Sequence, residues 1–312
     1  MSFFHSQSFF TLQCILFILI KMKHSIQDLL EYGFLVLDKP AGPSSHEASA
    51  YASKILEVKK AGHTGTLDPN VSGVLIILLN SSCKVASYLQ ETDKSYVCVM
   101  QTGKPHTKKE VEDAFDNFRG KIYQTPPLAS AVARKLRVRE IYSLKLLEAE
   151  GRRVLFECDC EAGTYIRKLC EDAGRVLGSC GEMLELRRTK AMGVNESKAV
   201  TLQQLSDAYW LYKEKGIETE LRKILRPIEE LASFKKVVVK DSYIPAIVRG
   251  IDLKKADAES IDKSVAKDDL VGLYNEGGAL LAVAKSLVDY AQIKDADSKA
   301  VLFDLERVIR TG

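Results

Sequence analysis

Apolar and polar positions along this chain switch between two periods. "GFLVLDKP" and "VLIILL" (Val74 to Leu79) are short unbroken apolar runs, which predict buried strands. "SYVCVM" (Ser95 to Met100) is β-branched and apolar on both sides, as a central strand would be. "SSHEASAYASKIL" has helical spacing instead. It opens with a capping box, Ser44 to Glu47, and Ala48, Tyr51, Ala52 and Ile55 form one stripe. "TKKEVEDAFDNF" repeats that logic with Thr107 and Glu110, and Gly120 is placed to end the helix. Further on, two strands meet at a turn around Gly151. Gly163 and Thr164 then open a helix with Ile166, Leu169, Cys170, Ala173 and Leu177 on one face. "MLELRRTK" predicts another strand, and "TLQQLSDAYW" a helix capped by Thr201. Many strands joined by hairpins, with helices interspersed, predict an α+β fold around a mixed, mainly antiparallel sheet.

After Pro227 the texture changes. "KKVVVKDSYIPAIVRGIDL" and "DLVGLYNEGGALLAVAKS" predict a short strand, a short helix and a hairpin that turns at "NEGG". The expected organisation is a main domain over 22–232 and a small β-rich domain over 233–312. Residues 1–21 stand apart. "FFTLQCILFILI" is short and polar-interrupted for a membrane span, and it lacks the flanks of a signal peptide. It reads as an extension from a misassigned start, with a membrane anchor as the alternative.

Composition narrows the class. With 312 residues, 46% hydrophobic and 28% charged, the chain can bury a sizeable core, which excludes disordered and fibrous types. A net charge of +3 announces no nucleic-acid partner, so any RNA surface must come from local clusters of Lys and Arg. The seven cysteines form no C-x-x-C pair and the five histidines are scattered. That pattern predicts reduced thiols, a cytoplasmic location and no metal.

The chemistry concentrates around "GHTGTLDP" (62–69), where glycines, a histidine (His63) and a proline surround one carboxylate, Asp68. Gly62 and Gly65 permit backbone angles that other residues avoid, and a polar loop leading into a buried strand is a common mount for a reactive group. It is equally a place for an ordinary turn aspartate. "VLDKP" puts Lys39 at a strand end, where it would support the loop. "KSYVC" puts Tyr96 on a strand, "GTYIR" puts Arg167 in the first turn of a helix, and "LELRRTK" supplies Leu186. Arg134, Lys135, Arg137 and Arg139 form one basic run, and Arg187, Arg188 and Lys190 a second. Each has a plainer reading: a core tyrosine, a strand leucine, a loop histidine, a structural ion pair, a charged strand edge.

In this order and spacing the motifs resemble the TruB and dyskerin family of pseudouridine synthases. "GHTGTLDPNVSGVLIILL" matches its catalytic loop and "GTYIR", about a hundred residues later, its arginine motif. "EYGFLVLDKPAGPSSHE" and "YQTPPLASAVARKLR" match two further blocks, and the C-terminal module resembles an RNA-binding PUA domain. The resemblance implies isomerisation of uridine to pseudouridine in RNA, without cofactor. Asp68 would be the nucleophile or would take a ribose proton, kept charged by burial beside Arg167. Tyr96 would stack on a flipped base, Leu186 would wall it, His63 would fill the vacated gap, and the basic runs would meet RNA phosphates. The guide-dependent branch fits best, implying a box H/ACA guide RNA, small accessory proteins and mainly ribosomal RNA substrates. A stand-alone transfer-RNA uridine-55 enzyme and a catalytically idle RNA-binding scaffold are the rivals.

Overall fold

In the computed structural model, which describes residues 24–89, 92–126 and 135–311, two sheets divide the strands between them. The larger has ten strands, with β1 (Gly33–Lys39), β2 (Ala61–Thr64), β3 (Ser72–Leu79), β4 (Lys94–Thr102) and β5 (Gly120–Gln124) in its first half. β6 (Arg137–Glu150), β7 (Arg153–Cys160), β8 (Gly181–Ala191), β9 (Val194–Asn195) and β10 (Arg226–Pro227) complete it. Its order is β10-β1-β3-β8-β4-β7-β6-β5, with β2 paired to β3 and β9 to β8. All of these pairs are antiparallel except a short parallel contact of β3 with β8. The second sheet, of six strands, spans Lys235–Val239 to Val301–Val308, and it too is mainly antiparallel.

The unbroken apolar run of β3 has a direct cause. Leu75, Ile77 and Leu79 face a core shared with α1 (Ile26–Tyr32) and α2 (Ser45–Ile55). Val74, Ile76 and Leu78 face a second core, which also takes Tyr274, Leu280, Val283 and Ile309 from the C-terminal sheet. Helices cover one face and a second sheet the other, so neither face can be polar. β4 is central, lying between β7 and β8. α2 and α3 (Lys108–Asp116) both begin with the expected capping boxes. α4 (Ile166–Val176) buries Ile166, Leu169, Cys170 and Ala173, and α5 (Leu202–Lys215) is capped by Thr201.

Two local expectations fail. Tyr51 is exposed, because the face that α2 buries runs through Ser45, Ala48, Ser49 and Ala52 and leaves Tyr51 to one side. Gly120 does not end α3. Asn117 caps it, and Gly120 uses its positive φ of 86° to begin β5. Residues 1–21 and Arg134 lie outside the described residues.

Asp28 of α1 ties the N-terminal helix to the end of the chain. Arg310 donates to both its carboxylate oxygens and to Glu229 at 3.3 Å, while stacking 4.1 Å from the Tyr32 ring. Burial by itself would raise the Asp28 carboxyl, but hydrogen bonds from His24 and Arg310 outweigh it and bring the pKa down to about 2. A depressed carboxylate stabilises the fold at pH values above its unfolded value and loses that contribution as pH falls toward about 2. Asp28→Asn should therefore cost roughly 2 kcal/mol at neutral pH. In thermal melts the gap from wild type should close as the buffer is acidified below about pH 4. A gap independent of pH would refute this account.

Candidate active site

The loop between β2 and β3 carries Asp68, and three buried side chains pin its backbone. Arg188 donates through Nη2 to the Gly65 carbonyl at 2.7 Å and through Nε to the Val74 carbonyl at 2.8 Å. Ser45 Oγ accepts the Leu67 N–H at 2.8 Å and donates to the Leu67 carbonyl at 2.9 Å. Lys39 Nζ donates to the carbonyls of Pro69 at 3.0 Å and Pro40 at 2.8 Å. Gly65 turns the chain at φ +63°, a conformation that costs a residue with a Cβ. Gly62, by contrast, lies in ordinary strand backbone opposite Leu78. Gly73 has a different duty: a Cβ there would sit 2.2 Å from the Arg188 carbonyl oxygen, so glycine alone lets β8 come this close.

Arg167, the second residue of α4, reaches across 99 positions to donate through Nη2 to Asp68 Oδ2. The structure thus brings the two motifs together, but not in a buried pair. The Asp68 side chain is 58% exposed and that of Arg167 40%. An ion pair this open contributes at most about 1 kcal/mol to folding. Its geometric effect is to hold the carboxylate in place while leaving it open to solvent. Beneath it lie apolar neighbours of both residues, Leu67 and Ile166, in one core with Tyr96 and Leu186.

Tyr96 of β4 is 8% exposed and stands opposite Arg188 in the ladder. Burial pushes its phenol up to about 12, with the nearby Arg188 charge and hydrogen bond opposing, so it is protonated at neutral pH. Leu186 is buried opposite Cys98. Lys39 is wholly buried, so it holds loop backbone and presents no cation to an RNA surface. Burial lowers its pKa and the Asp68 charge raises it. His63 shares hydrogen bonds with Ser49 Oγ at 3.0 Å and Thr66 Oγ1 at 3.4 Å. Burial, with His46 and Arg188 nearby, lowers its pKa and favours the neutral ring.

The second basic run has to be redrawn. Arg188 is 1% exposed and faces the loop, because side chains alternate along β8 and Leu186 and Arg188 share the buried face. Arg187, on the opposite face, grips Asp38 through both guanidinium ends at 2.9 and 3.1 Å and Glu196 at 2.7 Å. Those contacts, the Asp38 hydrogen bond foremost, raise its pKa, and two carboxylates already neutralise its charge. Lys190 is half-exposed and lines a cleft with Tyr88 and Phe234. Of the first run, Lys135 is exposed and Arg137 half-exposed at the start of β6. Arg139 is 20% exposed and packs over Gly163 toward Glu161 at 3.5 Å.

One residue that pins the loop is hidden from the sequence: Ser45 lies inside a stretch that reads only as a helix cap. Among the described residues no cluster of three or more His, Cys, Asp or Glu could hold a metal, and no helix is long and apolar enough to cross a membrane.

Comparison with known proteins gives this geometry its class. Residues 53–166 match the N-terminal domain of TruB family pseudouridylate synthases, and 167–233 the C-terminal domain of tRNA pseudouridylate synthase B. Residues 22–49 match the DKCLD (NUC011) domain. The protein is an RNA pseudouridine synthase. It belongs to the TruB family of pseudouridylate synthases. It is 45% identical over 287 residues to a protein of Methanocaldococcus jannaschii named "Probable tRNA pseudouridine synthase B", covering 92% of this chain and 85% of that one. An Archaeoglobus fulgidus protein of the same name is 43% identical over 288 residues, 92% of this chain and 88% of that one. Among solved structures, the chain resembles one in a Cbf5-Nop10-Gar1 complex at TM-score 0.82 and 38% identity, covering 93% of this chain and 88% of that one. It also resembles one in an H/ACA RNP bound to a substrate RNA containing 2'-deoxyuridine, at TM-score 0.81 and 35% identity, over 93% and 89%. The expected α+β class, with a small β-rich PUA-like domain at the C-terminus, is the fold observed.

Proposed function

We propose that this chain is the catalytic subunit of a guide-dependent, box H/ACA-type pseudouridine synthase acting in the cytoplasm mainly on ribosomal RNA. The observation that carries the reading is similarity over 93% of the chain to proteins solved within a Cbf5-Nop10-Gar1 complex and an H/ACA RNP. A guide RNA and small accessory proteins are then its partners. A transfer-RNA reading has its own support in the names of the relatives, which specify tRNA.

The chemistry is proposed for the pair that Arg167 and Asp68 form. Uridine becomes pseudouridine when its N-glycosidic bond breaks, the base turns over and a carbon–carbon bond forms to the same sugar. No redox step occurs, so one carboxylate suffices. Asp68 attacks the ribose carbon or removes a ribose proton, and Arg167, donating to Oδ2, aims it. The base must leave its stack, at a cost of a few kcal/mol. Tyr96 offers it a ring face and, as a neutral phenol, a proton donor; Leu186 closes the other side. His63, as a neutral ring beside the loop, fills the space the base vacates. Lys39 holds the loop. The exposed Lys135 and the half-exposed Arg137 and Lys190 are the phosphate contacts; Arg139 and Arg187 meet carboxylates of the protein.

The test compares the purified chain given unmodified transfer RNA with the same chain given a guide, accessory proteins and a matched target. Turnover should depend on the guide and rise at least about tenfold in the complete particle. Robust turnover by the chain alone on transfer RNA would favour the stand-alone reading. Silence in both assays would favour an idle scaffold.

A further inference from the structure

Backbone carbonyls and N–H groups near the reacting pair are held by buried side chains, and one of these acts outside the Asp68 loop. Gln124, the last residue of β5, is 2% exposed. Its Oε1 accepts the Tyr165 N–H at 2.9 Å, and its Nε2 donates to the Tyr165 carbonyl at 3.1 Å. This is the two-point pairing a neighbouring strand would make, supplied by an amide side chain. Tyr165 is the N-cap of α4 and provides no side-chain cap of its own. The first N–H groups of a helix lack partners within it, so Gln124 acts as a cap delivered from another element. Arg167 follows two residues later. The Asp68 loop is pinned at Gly65, Leu67 and Pro69 by three separate side chains. The entry to the arginine's helix is fixed at Tyr165 by Gln124.

We infer that Gln124 is a positioning residue for the reaction: by clamping the backbone of Tyr165 it orients the first turn of α4 so that Arg167 meets Asp68. The inference rests on the reading of Asp68 and Arg167 as the reacting pair. Gln124 touches neither of them, so its influence must pass through Arg167. A misplacement of about 1 Å at a catalytic group can cost a hundredfold in rate.

Single-turnover pseudouridine formation in the complete particle tests this with Gln124→Met, which keeps the volume and removes both hydrogen bonds. The rate should fall roughly ten- to a hundredfold while the RNA dissociation constant moves less than about twofold. Placed on top of Arg167→Ala, the same change should cost less than about twofold, because the guanidinium it orients is gone. Equal losses in both backgrounds would show a general structural role and overturn the inference. Full rate in Gln124→Met beside a slow Arg167→Ala would overturn it alone; full rate in Arg167→Ala would remove the reacting pair itself. If Gln124→Met does not fold, Gln124→Glu decides. Its carboxylate still accepts the Tyr165 N–H but can donate to the carbonyl only when protonated, and burial favours protonation. Its rate relative to wild type should climb as the pH is lowered from about 8 to about 6, and a flat ratio would sink the idea.

Discussion

Replacing Asp68 with Asn should leave a folded protein that binds RNA and makes no pseudouridine. The amide has nearly the shape of the carboxylate, but it is a poor nucleophile and base and gives Arg167 no charge to meet. A rate loss of at least about a thousandfold, some 4 kcal/mol of barrier, is expected. Stability should scarcely change, because the side chain is 58% exposed and outside the core clusters. Nucleoside analysis of single-turnover products measures the first quantity and a thermal melt the second. If the variant retained a tenth of the wild-type rate, Asp68 would not be the reacting group. If it unfolded, the loop would owe its place to the carboxylate rather than to Arg188, Ser45 and Lys39.

The second large effect concerns a residue that meets almost no solvent. Arg188→Met removes the guanidinium that holds the Gly65 and Val74 carbonyls and lies beside the Tyr96 hydroxyl. Methionine fills much of the space but leaves these buried polar atoms without a donor, at a cost of about 2–4 kcal/mol. The loop then loses its hold at Gly65 and Tyr96 its charged neighbour, so the rate should drop along with the melting temperature. What should not change is the salt dependence of RNA affinity. Removing one phosphate-neutralising cation lowers the log–log slope on a duplex by roughly 0.9, and a buried arginine neutralises no phosphate. Lys135→Ala provides the contrast, since its side chain is exposed and its removal should lower the slope. A reduced slope in Arg188→Met would restore this arginine to the RNA surface.

The contrast between Arg187 and Arg188 shows how a local pattern can mislead. Read along the chain, "LRRTK" is a basic run. In the folded protein the strand's alternation sends Arg188 into the core and Arg187 onto Asp38 and Glu196. Period-two alternation is visible in the sequence, but buried arginines are rare enough that charge reads as surface. The expected burial of the Asp68–Arg167 pair fails for a related reason. The motif says which residues meet, whereas exposure depends on how far the surrounding elements close over them.

Elements with their own periodicity and caps are legible from the residues alone: the capping boxes at Ser44 and Thr107, the apolar β3, the hairpin at Gly151, and the β-rich module after Pro227. So is the loop bearing Asp68, because glycine and proline at fixed offsets constrain backbone within a few residues. The clamps are not. Gln124 on Tyr165, Ser45 on Leu67, Lys39 on Pro69 and Arg188 on Gly65 each join residues separated by 22 to 123 positions. Only tertiary structure decides such pairs, since a side chain's partner is set by which distant backbone group folding brings within about 3 Å.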